Sequence, residues 1–309
     1  MSQSEATPAP APTGAPAGII HDIGYRGYDG PRLSRRRVGF GLYTHTLRGI
    51  FGLGRAPRSK VVPMGMAAFM LLPAVVLAVV SVVGASQLGL TQPVLPYTRY
   101  AMVTQAAIAI FLAVAAPQAV SLDLRFHTLP LYLSRPLERV DYVRAKLGAL
   151  TTAMFILIAV PLLVMYVGAL AAEFDAGAQT RELLEALAGA VLFAAVLSAL
   201  ALVIASLTAR RGFGIAAIIT VLAFSYTIVT SLQGLVGFEA DNLTVAGWIG
   251  LFSPMTLVDG VQVWAFGVLP STPAGPPNDA AGAVFLVVAL ALVVLCYRAL
   301  VRRYRKVKI

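Results

Sequence analysis

ALAGAVLFAAVLSALALVIASLTARRGFGIAAIITVLAFSYTIVTSLQGLV, residues 186–236, shows what kind of chain this is. Two apolar runs, 186–208 and 213–236, flank Arg210-Arg211, and neither contains a charged residue. A helix rising 1.5 Å per residue crosses a hydrocarbon core of roughly 30 Å in about 20 residues, so each run is long enough to span a membrane. The arginine pair between them makes a tight turn on one face. Four more apolar stretches complete the set, at 61–84, 99–121, 147–171 and 281–300.

The charge between these stretches falls on one side. Residues 1–60 carry nine Lys/Arg, 122–146 five, 209–212 two and 298–309 six, which leaves only Arg99 and Arg181 elsewhere. The positive-inside rule then places both termini and the 122–146 and 209–212 loops in the cytoplasm of an inner-membrane protein. Hydrophobic residues make up 58% of the chain, charged residues 12%, and mean hydropathy is +0.80. A soluble domain carries roughly twice that charged fraction. The net charge of +10 is read as topology and attraction to anionic lipid, not as a nucleic-acid surface.

These observations predict an all-α integral membrane protein with six transmembrane helices, an N-terminal amphipathic interfacial helix and a re-entrant outer segment before the last helix. Residues 1–37 read as a polar, disordered cytoplasmic tail. Their first 18 residues lack a basic start and an apolar run, so the first span itself is expected to direct insertion. Phe40, Tyr43, Leu47, Ile50 and Phe51 recur at helical spacing and place an amphipathic helix within 38–60. Residues 61–309 form the six-helix domain. The last outer segment, 237–280, is apolar between 245 and 270, but Ser253-Pro254 and Asp259-Gly260 are expected to break it into two short helices. A seventh crossing would also put the basic C-terminal tail outside. Trp248 and Trp264 suit an interfacial depth.

The chemistry is sparse. No Asp, Glu, Lys, Arg or His lies in the interior of a predicted span, which disfavours ion-coupled transport. No G-x-x-x-x-G-K-[ST] phosphate loop is present, and His21, His45 and His127 form no catalytic or metal motif. Cys296 is the only cysteine and reads as a small apolar side chain. An enzyme is therefore not expected, nor a cofactor or metal bound by this chain. Polar residues within spans are few. On the fifth, Thr220, Ala223, Thr227, Thr230 and Gly234 repeat every three or four residues beside Ser231. Such small residues favour close helix packing, as at a dimer contact, and would also suit a substrate path. Thr104, Gln105 and Gln118 are weaker candidates of the same kind on the second span.

The mixed-charge loop 122–146 is the remaining place for function. It holds Asp123, Arg125, Arg135, Glu138, Arg139, Asp141, Arg144 and Lys146. Ser134 is expected to cap a helix with Pro136 in its first turn, leaving the polar side of that helix to water or a partner. On composition alone the loop reads first as a solvated connection and second as a docking element.

The run Thr128-Leu129, Leu133-Ser134-Arg135-Pro136-Leu137, Arg139, Asp141-Tyr142-Val143 and Lys146 resembles the loop between the second and third spans of ABC-2-type permeases. These are the six-helix membrane subunits of ATP-driven exporters. Tyr25 to Arg32 is similar to the start of many actinobacterial members. Ala145 departs from the Gly-Lys common in the family. The resemblance implies that Asp123, Arg125, Arg135, Pro136, Glu138, Arg139, Asp141, Tyr142 and Lys146 belong to a coupling element that docks on a separate ABC ATPase. It further implies two ATPase copies carrying ATP and Mg, a second permease subunit, identical or not, and a path lined by the second and fifth spans. The interior favours lipidic or amphipathic cargo over small ions. The alternative is a membrane channel or scaffold without an ATPase partner.

Overall fold

Every apolar run becomes helix, and the helices outrun the stretches that predict them. The computed structural model describes residues 30, 33–54, 57–126, 128–134, 136–208 and 210–306. All regular elements among them are helical: α1 (Arg35–Ile50), α2 (Arg58–Leu88), α3 (Tyr97–Val103), α4 (Gln105–Arg125), α5 (Leu129–Leu133), α6 (Arg139–Ala171), α7 (Ala176–Leu207), α8 (Arg211–Gly234), α9 (Leu243–Ile249), α10 (Pro254–Phe266) and α11 (Asp279–Lys306). A π-helical turn, Leu235–Glu239, prolongs α8, and a 3-10 turn, Gly250–Phe252, follows α9.

Among the described residues, five helices are long and apolar enough to cross a membrane: α2, α6, α7, α8 with its π turn, and α11. The predicted second span is not one straight rod. Its helical pair, Tyr97–Val103 and Gln105–Ser121, bends by 61°, and counts as a sixth crossing only if taken as one span. The chain is thus an all-helical, multi-pass membrane protein. Its helices are longer than their apolar cores because an α-helix satisfies its own backbone in lipid and water alike, whereas hydropathy marks only the part that needs lipid.

The expected connecting helix at 38–60 is two elements. α1 starts at Arg35, inside the stretch read as tail, and stops at Ile50; Arg58 and Lys60 open α2. Gly52 and Gly54, at φ of 68° and 78°, turn the chain between them. A side chain at position 52 would collide with the carbonyl of Ser59. The remainder of the predicted tail, 1–29, and the Tyr25–Arg32 motif apart from Gly30 lie outside the described residues, as does His127.

α6 and α7 form the centre. Of their most apolar stretches 56% is buried within the chain, against 17% for α2 and α8 and 22% for α11. α2 packs on α6, where Gly168 lets the backbone of Ala78 approach so closely that no Cβ would fit. The outward sides of α2, α8 and α11 expose Leu72, Val79, Phe224 and Val287. Lipid, not water, is the solvent such surfaces tolerate.

The segment before α11 departs from expectation in one respect. Ser253 and Pro254 do start a helix, with Pro254 in its first turn. Asp259-Gly260 does not end one. Both lie inside α10, which is buried from Pro254 to Gln262 among α7, α8 and α11. Gly260 persists because the ring of Phe285 occupies the space a side chain would need, and Asp259 accepts a hydrogen bond from the Ser271 N–H at 3.0 Å. At 13 residues α10 extends about 20 Å, too short to cross, and Gly267 at φ 66° turns the chain at its end.

Candidate functional site

At the end of the bundle where the basic residues gather, the 122–146 segment is folded onto its neighbours. α4 runs on to Arg125. α5 then makes a short turn of helix, ended by Ser134, whose hydroxyl donates to the Leu131 carbonyl at 2.9 Å. Ser134 therefore closes α5 and does not cap the next helix. Pro136 and Leu137 link to α6, where Glu138 is the N-cap residue and Asp141 accepts the Glu138 N–H at 3.1 Å in a capping box. The side chain of Arg125 and the whole of Arg135 lie outside the described residues. Pro136 is exposed.

The charges of this segment are largely engaged by the chain itself. From α1, Arg35 donates to Asp141 at 2.6 Å and pairs with Glu138. These two carboxylates hold its guanidinium above even the usual arginine value, Asp141 contributing most. Arg139 donates to the Arg305 carbonyl of α11 at 2.6 Å, and Arg144 to the Tyr297 hydroxyl of α11 at 3.1 Å.

Deeper in, Lys146 and Asp123 form an ion pair at 2.8 Å with side chains only 7% and 15% exposed. The Tyr142 hydroxyl donates to the same Asp123 oxygen at 2.7 Å. The ammonium of Lys146 faces the rings of Tyr132 and Tyr142, 5.8 and 5.3 Å from their centroids. Tyr142 in turn packs against Tyr304 of α11, with ring centroids 5.0 Å apart. This cluster joins α4, α5, α6 and α11 at one point. A polar cavity of about 60 Å³ beside it is lined by His45, Gly49, Gln118, Asp123, Tyr132 and Lys146, with room for water.

The sequence reading set Tyr142 and Lys146 on a face turned to water or a partner; both are buried. The reason is that their polar atoms find Asp123 across the turn, and the aromatic rings of three helices close over the pair. The signal in the sequence is two opposite charges at the two ends of one loop, Asp123 and Lys146, with Tyr132 and Tyr142 between them.

The polar span residues separate into different roles. Gln118 donates to the Gly49 carbonyl at the end of α1 at 2.7 Å, so it ties two helices. The Thr104 hydroxyl bonds the Tyr100 carbonyl at 2.9 Å, at the bend between α3 and α4. Gln105 holds a buried side-chain oxygen without a partner. On α8, Thr227 and Thr230 return their hydroxyls to the carbonyls four residues back, and Thr220, Thr227 and Ser231 are exposed on the face α8 turns away from the chain.

At the opposite end, Arg99 and Arg181, the two basic residues outside the charge asymmetry, line one cavity of about 420 Å³ with Glu182 and Glu185. Arg99 donates to the Pro270 carbonyl at 3.1 Å, and Arg181 approaches Glu185 to 3.4 Å. Among the described residues no group of three or more His, Cys, Asp and Glu could hold a metal ion. No protein-family model matches the chain, and no curated protein matches it.

Proposed function

We propose that this chain is the permease subunit of an ATP-driven exporter of the ABC-2 type, crossing the inner membrane six times with both termini in the cytoplasm. α3 and α4 together make the bent second crossing, α1 lies in the interface, and α9 and α10 form the re-entrant outer pair. ATP and Mg act on a separate ATPase, present in two copies. A second permease subunit completes the path, and the exposed threonine face of α8 is where it packs.

One observation carries the reading. The 122–146 segment, whose residues resemble the family's coupling loop, is fastened to α1, α4, α6 and α11 by Arg35, the Asp123–Lys146–Tyr142 cluster and Arg139. A loop that is merely solvated needs no such anchorage. A force applied to its exposed surface at Pro136 and Glu138 reaches four helices at once. In this reading Tyr142 and Lys146 hold the coupling element, while Glu138, Arg139 and the neighbouring Pro136 present it.

The test is purification of the chain from its native membrane in mild detergent, with identification of what accompanies it. A stoichiometric ABC ATPase, lost on Glu138→Lys while insertion persists, supports the proposal. A chain recovered alone under conditions that preserve other membrane complexes overturns it in favour of a channel or scaffold.

A further inference from the structure

A cleft of about 410 Å³ opens between the ends of α7 and α11 on the basic side of the bundle. Its walls change character along one direction. Val203 and Leu207 of α7 and Ala299 of α11 are apolar, and Arg302, Arg303 and Lys306 follow one and two turns further along α11. Leu295, Ala299, Arg302 and Lys306 recur at spacings of four, three and four, so one face of α11 passes from hydrocarbon to cation over three turns. Leu295 is exposed on that face.

The three cations are not equivalent. Arg303 donates to the Ser206 carbonyl at 2.5 Å and thereby neutralises the negative end of α7, which would otherwise repel an anion. Arg302 and Lys306 form no hydrogen bond or ion pair among the described residues. Among the described residues no carboxylate lines the cleft. At this end Arg35, Arg139, Arg144 and Lys146 have oxygen partners within the chain. The side chains of Arg298 and Arg305, like those of Arg302 and Lys306, have none among the described residues, but Arg298 and Arg305 do not line the cleft. Two surplus cations therefore converge where an apolar groove meets the end of a bundle.

We infer that this cleft binds the phosphate of an anionic glycerophospholipid, with Arg302 and Lys306 on the phosphate and the acyl chains along Ala299, Leu295 and Leu207. A phosphate diester supplies the missing anion, and its attached chains match the apolar wall, which a free anion would leave uncovered. The inference does not depend on the exporter reading, since it holds for any membrane protein with these two helices.

The experiment counts lipid bound to the purified full-length chain by native mass spectrometry, titrating phosphatidylglycerol or phosphatidylcholine of equal chain length. One saturable phosphatidylglycerol per chain is expected, and Arg302→Gln with Lys306→Gln should weaken it about thirtyfold. Arg298→Gln with Arg305→Gln removes the same charge from α11 outside the cleft and should leave binding within about twofold of the unmodified chain. The charge-preserving exchange of Arg302→Lys with Lys306→Arg should retain binding, which separates loss of the site from loss of the fold. Equal retention of phosphatidylcholine, equal loss in both glutamine pairs, or displacement by millimolar inorganic phosphate would overturn the inference.

Discussion

Asp123 receives a proton donor from each side, the Lys146 ammonium at 2.8 Å and the Tyr142 hydroxyl at 2.7 Å. A buried ion pair adds little net stability, because the desolvation of both charges offsets their attraction, but removing one partner strands the other. Asp123→Ala is therefore expected to destabilise the chain by about 3–5 kcal/mol, and adding Lys146→Met should restore most of that loss. Unfolding midpoints in detergent for the two single variants and the double variant measure it. Additive losses would mean that the pair does not act as a unit. Tyr142→Phe keeps the ring against Tyr304 and removes one bond to a charged oxygen, so a smaller loss of about 1.5–3 kcal/mol is expected in the same assay. The residue types were visible in the sequence. Their pairing was not, because Asp123 and Lys146 sit 23 positions apart on either side of α5, and nothing in local hydropathy says that the turn brings them together.

Among elements, α1 and α10 show how tightly neighbours constrain a helix. A methyl group at Gly41 of α1 would meet nothing, so Gly41→Ala should raise stability by about 0.5–1 kcal/mol through helix propensity alone. Gly260 of α10 faces the ring of Phe285, and Gly282 of α11 faces Trp264 without room for a Cβ. Gly260→Leu or Gly282→Leu is expected to cost about 1–3 kcal/mol or more by overpacking, and to lower the unfolding midpoint where Gly41→Ala raises it. α1 is held at its start by exposed pairs. Arg35→Gln should leave the global midpoint nearly unchanged while accelerating amide exchange over the first turns of α1. Unchanged exchange there would show that packing against α6, and not Arg35, holds α1. The Asp259-Gly260 dipeptide shows where reading by turn signals stops: the same two residues that mark turns in solvent are kept in a helix when an adjacent ring fills the glycine's space.

Across the whole molecule, the charge asymmetry and the apolar lengths combine into a topology that cysteine chemistry can test. Cys296 is the only cysteine and is buried, so Cys296→Ser gives a background in which single cysteines report sidedness. Cysteines placed at 58, 136 and 210 should react with an impermeant maleimide from one face, and those at 93, 173 and 271 from the other. Reaction of 93 and 136 from the same face would remove the six-crossing arrangement. The bent α3–α4 pair is the crossing on which this count turns, since five other helices among the described residues are each long and apolar enough to cross.

Which stretches suit lipid, and on which side of them the positive charge gathers, can be read from the amino-acid order alone. Both follow from transfer of residues between water and hydrocarbon, which depends on each side chain and its immediate neighbours. That order could not determine what the charged residues of 122–146 do, because that depends on which helices lie beside them. Arg35 meets Asp141 over 106 positions, and Arg139 meets the Arg305 carbonyl over 166. Only packing of α1, α6 and α11 around one end brings such groups within hydrogen-bond distance. For Asp123 and Lys146, which are buried there, an unpaired charge is costly enough that the segment closes over the pair.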